Sequence, residues 1–140
     1  MLRATFSLSQ ANALVPYLTE QFEKMRKLSD ELRLLKSRAR DEARQRRAGE
    51  RFLATTSSPA LKRMEELERE IRAAIEETTQ LGIEVRRVDG LCDFPAWLEG
   101  QLVYLCWKFG ESEISHYHAT NSGFDGRRPL PTAVASKEMN

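Results

Sequence analysis

A hydrophobic stripe at heptad spacing constrains this chain more than any other feature. Leu14, Leu18, Met25, Leu28, Leu32, Leu35 and Ala39 follow one another in steps of three, four or seven, and Gln21 occupies the one seam position without an apolar side chain. Such a stripe is one face of a long helix that packs on a partner. The helix is expected to reach Ala48 and to end at Gly49. Some thirty residues rise roughly 45–50 Å, more than a domain of this size is wide, so part of the helix is expected to project. Thr55-Thr56-Ser57-Ser58 reads as a connector, and Ser58-Pro59 as an N-cap followed by a proline in the first helical position. The second helix carries its own seam, Met64, Leu67, Ile71, Ala74, Thr78 and Leu81, widened by Ile75 and stopped by Gly82. Two seams joined by a short connector predict an antiparallel, coiled-coil-like helical hairpin over about 7–82.

The start of the hairpin is marked locally. Ser7 can cap a helix while Gln10, three residues on, completes a capping box. Pro16 then removes an N–H and its ring meets the carbonyl of Asn12, which predicts a kink or a short first helix followed by a restart. Asn12 is expected to hydrogen-bond the backbone freed there. A two-helix seam of this size does not offset the conformational entropy of ordering both helices. The hairpin must therefore pack on the rest of the chain, on a second copy of itself, or on both.

After Gly82 the period changes to two. Ile83, Val85 and Val88 alternate with Glu84, Arg86 and Arg87, as in a half-exposed strand, and Asp89-Gly90 marks a turn. Leu91-Cys92-Asp93-Phe94-Pro95 begins extended and is expected to stop at the proline; Glu99-Gly100 is a further turn. Val103–Glu111 followed by Ile114–His118 is the most apolar and aromatic stretch and reads as a β-hairpin turning at Gly110-Glu111. The fold class is thus α+β: a long helical hairpin, then a small antiparallel sheet and a glycine loop over about 83–130. Residues 1–130 form a single domain, and 131–140 are expected to be a disordered tail.

Composition narrows the function classes. The formal net charge of +1 gives no global field for nucleic acid or an acidic substrate. The basic helix tip Arg38–Arg51 carries no interleaved aromatics for stacking on bases, so it is read as a solvated helix end rather than a nucleic-acid contact. The N-terminus lacks the apolar run of a signal peptide, and no window approaches a membrane span. Cys92 and Cys106 lack CxxC spacing, which encodes no local zinc knuckle and fits a reducing, cytoplasmic setting.

Four blocks of sequence resemble a bacterial family of unknown function, DUF2203. They are Phe6-Ser7-Leu8-Ser9-Gln10-Ala11-Asn12-Ala13-Leu14-Val15-Pro16; Gly90-Leu91-Cys92-Asp93-Phe94-Pro95; Val103-Tyr104-Leu105-Cys106-Trp107 with Gly110-Glu111; and His116-Tyr117-His118 with Gly123-Phe124 and Gly126-Arg127-Arg128-Pro129. The blocks stand in family order over nearly the whole chain. Cys92 departs from the aliphatic residue common in the family, and Tyr117 stands where an aromatic precedes the family's histidine, so the resemblance points to His118 rather than His116. It implies one domain of helical hairpin and small sheet, and assigns no reaction.

The candidate chemistry lies around the C-terminal sheet. If the hairpin pairs around Gly110-Glu111, Trp107 faces Ile114, Leu105 faces His116 and Val103 faces His118. Both histidines then share the Val103/Leu105/Trp107 face, and Cys106 falls on the other with Tyr104, Ser115 and Tyr117. That register keeps Cys106 from His118, short of a bulge, and makes the thiol a small core residue. His116 and His118 at i, i+2 are the candidate metal ligands, with Asp93 or Glu111 as a third. Asp93, Glu111, Arg127 and Arg128, read as turn residues around the sheet, are the candidate groups for a small anion or polar metabolite, with His118 at the rim; a turn cap at Asp93 and an Arg127 ion pair to Asp93 or Glu111 are the structural alternatives. No phosphate loop, nucleophile elbow or HExxH is present.

Two functions remain. The first is a non-enzymatic cytoplasmic structural or interaction protein that self-associates through its helices, as a homodimer or other homo-oligomer. The second is a small-molecule or metal-binding domain, with room for a cryptic enzyme, sited near His118. The sequence names no cofactor.

Overall fold

The structure, a computed structural model, describes residues 4–47 and 59–131. The expected helix stop at Gly49, the Thr55–Ser58 connector with its cap, the Arg51 end of the basic tip and the tail beyond Pro131 lie outside the described residues, as do the side chains of Arg46 and Arg47. Among the described residues three helices, α1 (Leu8–Ala13), α2 (Val15–Arg47) and α3 (Pro59–Gln80), precede five strands: β1 (Glu84–Arg87), β2 (Leu91–Leu98), β3 (Gln101–Lys108), β4 (His116–Ala119) and β5 (Arg128–Pro129). A 3-10 turn, Phe124–Gly126, lies between β4 and β5. The strands form one antiparallel sheet in the order β1-β2-β3-β4-β5, and the architecture is α+β.

The capping box forms as the sequence predicts: Ser7 Oγ accepts from the Gln10 N–H at 3.0 Å, and Gln10 Oε1 accepts from the Ser7 N–H at 2.9 Å. Pro16 produces the short first helix and restart, with Leu14 between α1 and α2. Asn12 does something other than expected. Its Oδ1 accepts from the Ile114 N–H at 2.7 Å, tying the helical start to the loop between β3 and β4.

Helices α2 and α3 run antiparallel. Tyr17 hydroxyl donates to Glu77 Oε1 at 3.0 Å near one end of the pair, and Arg63 holds both Glu31 oxygens at 2.8 and 3.0 Å further along. Gln21, the polar seam residue, donates to the Ala74 carbonyl at 3.4 Å. The first half of α2 serves two partners at once. Ala11, Val15, Leu18, Phe22 and Met25, spaced by four and three, form a buried stripe with the sheet. Phe22, absent from the heptad seam, is fully buried because its face is the one that meets Trp107, ring centroids 5.8 Å apart.

On the sheet side that stripe meets Cys92, Phe94, Ala96 and Leu98 of β2 with Val103, Leu105 and Trp107 of β3, alternate residues of two strands. The opposite face is also closed at its centre: Leu91–Ala96 and Val103–Trp107 are buried without interruption. Pro95 does not end β2. Its carbonyl accepts from the Phe6 N–H at 2.8 Å, and the N and C=O of one strand residue point to the same edge. The missing N–H therefore faces the edge that β1, paired only with Leu91–Asp93, has already left. The β2–β3 connection is a two-residue turn with Glu99 at φ 51° and Gly100 at φ 81°, the positive-φ pair that such hairpins need.

Among the described residues no helix is long and apolar enough to cross a membrane.

A buried carboxylate, thiol and imidazole on the outer face of the sheet

The register of β3 against β4 decides the chemistry. Cys106 pairs with His116, Leu105 with Tyr117 and Tyr104 with His118. This is one residue away from the register drawn from a Gly110-Glu111 turn, and a slip of one residue moves every side chain of the strand to the other face. The cause is the connection, which spans 109–115 rather than two residues. It is held by Trp107 Nε1 donating to the Glu111 carbonyl at 2.9 Å, by the Lys108 N–H donating to Glu111 Oε1 at 2.7 Å, and by the Asn12–Ile114 bond. Ile114 is consequently a buried loop residue rather than a strand partner of Trp107.

The expectation that Cys106 and His118 stay apart is therefore wrong. Asp93, opposite Cys106 on β2, completes a group whose Oδ, Sγ and imidazole nitrogen atoms all lie within 4.8 Å of one another. All three are buried, with Cys106 at 0% exposure and Asp93 and His118 at 2%. Asp93 lies mid-strand rather than on a turn, and His118 lies inside the structure rather than at its rim.

Each member is oriented by a neighbour. His118 Nδ1 faces the Ala119 carbonyl at 2.9 Å, so that nitrogen carries a hydrogen and Nε2 is directed at Asp93 Oδ1, 3.0 Å away. Arg86 Nε donates to Asp93 Oδ2 at 2.8 Å. Although its partial burial acts to lower it, the Arg86 guanidinium is held above its ordinary value by Asp93 and Glu84. Arg86 also lies over the Tyr104 ring at 4.9 Å, and that ring packs on His118 at 5.5 Å. Burial, then the Asp93 carboxylate, pushes the Cys106 thiol up to about 12, with Arg127 pulling it down. Protonated in this way, the thiol is no nucleophile. Cys92 is pushed up still further by its burial and belongs to the helix-side core.

The other candidates divide. Arg127 Nη2 donates to Glu111 Oε2 at 2.8 Å, the ion pair drawn as one structural alternative, and its guanidinium stacks on Phe124 at 4.8 Å. Arg127 Nε is buried and has no hydrogen-bond partner among the described residues. Arg128 is exposed on β5, and His116 is half-exposed, its Nδ1 on Ser115 Oγ at 2.9 Å, outside the buried group. From the sequence alone Arg86 reads as the solvent side of a strand, and the expected register keeps Cys106 out of the site. One signal was present: Asp93 is a charge inside the otherwise apolar Leu91–Phe94 run, which asks for a buried partner.

The fold and this cluster together define a class: an α+β domain of helical hairpin and meander sheet, with a carboxylate–thiol–imidazole centre on the sheet's outer face. The chain belongs to the DUF2203 family, whose model, described as an uncharacterized conserved protein, matches residues 4–130. No curated protein and no solved structure matches it.

Proposed function

We propose that the protein binds a divalent transition-metal ion through Asp93 Oδ1, Cys106 Sγ and His118 Nε2. The observation that carries this reading is the mutual approach of three different ligand atoms, all buried, within 4.8 Å. A carboxylate, a thiol and an imidazole together suit a borderline-soft ion of the zinc class. The surroundings support it. The Ala119 carbonyl fixes the His118 tautomer that leaves Nε2 as the ligating atom, and Arg86 fixes the carboxylate from behind. A divalent ion would be neutralised by the Asp93 carboxylate and the Cys106 thiolate, and binding would release the proton that burial now keeps on the sulfur. Three protein donors leave one position of a four-coordinate ion for a small ligand. Arg127, near enough to act on the Cys106 thiol, brings a buried N–H without a partner to the same region. Both cysteines are free, and the reading places the protein in a reducing compartment such as the cytoplasm.

Elemental analysis of chelator-stripped and zinc-reloaded protein is expected to give one ion per chain with a raised Tm. Cys106→Ala and His118→Ala should lose the ion, while His116→Ala retains it. Stripped protein that takes up no zinc and keeps its Tm in excess zinc would end the reading.

A second reading, self-association through the helices, is favoured by one observation. The distal seam residues Leu28, Leu32, Leu35, Met64 and Ile71 stay half-exposed in the single chain, and Leu34 is 51% exposed. A second copy would cover that stripe. Sedimentation over a range of concentrations should show a dimer that Leu32→Glu with Leu35→Glu returns to monomer; a monomer throughout would refute it.

A further inference from the structure

A cleft of about 190 Å³ opens at the end of the sheet where the β1–β2 turn and the end of β3 meet α2 and the 3-10 turn. It borders the Glu111–Arg127 ion pair through Lys108 and Phe124, but neither member of that pair lines it. Its walls carry Arg26, Arg87 and Lys108 against one acid, Asp89. The cations are not spent equally. Arg87 uses Nε and Nη2 on the Asp89 carboxylate, at 3.1 and 2.6 Å, and the two charges cancel. Arg26 donates from Nε and Nη2 to the Asp89 backbone carbonyl, at 3.1 and 2.8 Å, so its position is fixed, and it has no ion-pair partner among the described residues. Lys108 has no acidic partner among the described residues, and its Nζ lies 5.4 Å from the Phe124 ring centroid. The cleft therefore presents two uncompensated positive charges, one of them pre-positioned.

The remaining walls are apolar and flat. Arg26 stacks on Phe109 at 4.0 Å, and Leu91, Phe109 and Phe124 line the space. Gly90 lets Phe109 pack directly against the β1–β2 turn, since a Cβ there would meet Phe109 at 2.4 Å. We infer that this cleft is a binding site for a small organic anion, a carboxylate on a planar apolar body. The carboxylate would lie between Arg26 and Lys108, with the body against the phenylalanine rings. Charge-assisted contacts give the pose and ring contacts the selectivity. The site is independent of the metal reading.

Full-length protein is titrated with benzoate, inorganic phosphate and neutral benzyl alcohol while backbone amide shifts are followed. Benzoate is expected to produce saturable shifts at Gly90, Leu91, Phe109 and Phe124, with phosphate and benzyl alcohol each weaker. Lys108→Gln, at an exposed position that should leave the fold intact, is expected to weaken benzoate binding by about tenfold. Lys36→Gln, remote on α2, should leave it unchanged. The inference is overturned by the absence of saturable shifts, by phosphate binding as tightly as benzoate, or by an affinity indifferent to Lys108→Gln.

Discussion

Asp93→Ala is expected to lower the unfolding free energy by roughly 3–4 kcal/mol, with a fall in Tm of about 10 °C. The carboxylate is 2% exposed and holds two neighbours, His118 Nε2 at 3.0 Å and Arg86 Nε at 2.8 Å. Removing it strips a buried imidazole of its partner and leaves a hole between β1 and β3. Arg86 tempers the cost, because its side chain is 40% exposed and can rehydrate, which places the figure at the low end for breaking a buried pair. Asp93→Asn separates charge from hydrogen bonding. Its amide oxygen can accept from Arg86 while its amide nitrogen donates to a bare His118 Nε2, a tautomer that the Nδ1 contact to Ala119 already favours. Asparagine should therefore cost only about 1–2 kcal/mol. Urea unfolding in chelator measures both without a metal contribution. Equal losses for the two variants would mean that the ion pair, not the hydrogen-bonding pattern, holds the centre together.

Gly90→Ala is the second large effect, expected at roughly 2–5 kcal/mol. Two causes add. The residue sits at φ +119°, where a Cβ is strained by about 1–2 kcal/mol. The new carbon would also come to 2.4 Å from Phe109 Cβ, an overlap that must push the β3 end away at about 1–3 kcal/mol. Phe109 cannot retreat freely, because its N–H donates to the Gly90 carbonyl at 2.8 Å and its ring is held under Arg26. Gly100→Ala is the control: φ is +81°, and a Cβ there meets nothing within 4 Å. The difference between the two variants in thermal unfolding reports the clash together with the extra backbone strain at the larger φ. If both lose the same stability, the close approach to Phe109 contributes nothing.

Much of the architecture was legible because it is written in local periodicity. The heptad seams, the Ser7/Gln10 box, the restart at Pro16 and the change of period after Gly82 each act over a few residues, where backbone sterics and side-chain spacing decide the outcome. The errors share a different cause. Pro95 looked like a strand end because the edge it faces is known only once β1 is seen to stop short. Phe22 sat outside the seam because the seam describes one partner, and α2 has two. Asn12 reads locally as a partner for its own helix, whereas its bond crosses 102 residues to Ile114.

The candidate site shows the same division most sharply. The amino-acid sequence by itself determined which groups would be near one another: Asp93 in an apolar run, and Cys106 and His118 on adjacent strands of an aromatic hairpin. Which of them meet was decided by the tertiary structure alone. Strand alternation has a period of two, so the identity of the facing residues turns on whether the β3–β4 connection consumes an odd or an even number of positions. That number is set by Trp107, Glu111 and the distant Asn12. One residue of slip turned a separated thiol and imidazole into a buried cluster closed by Asp93.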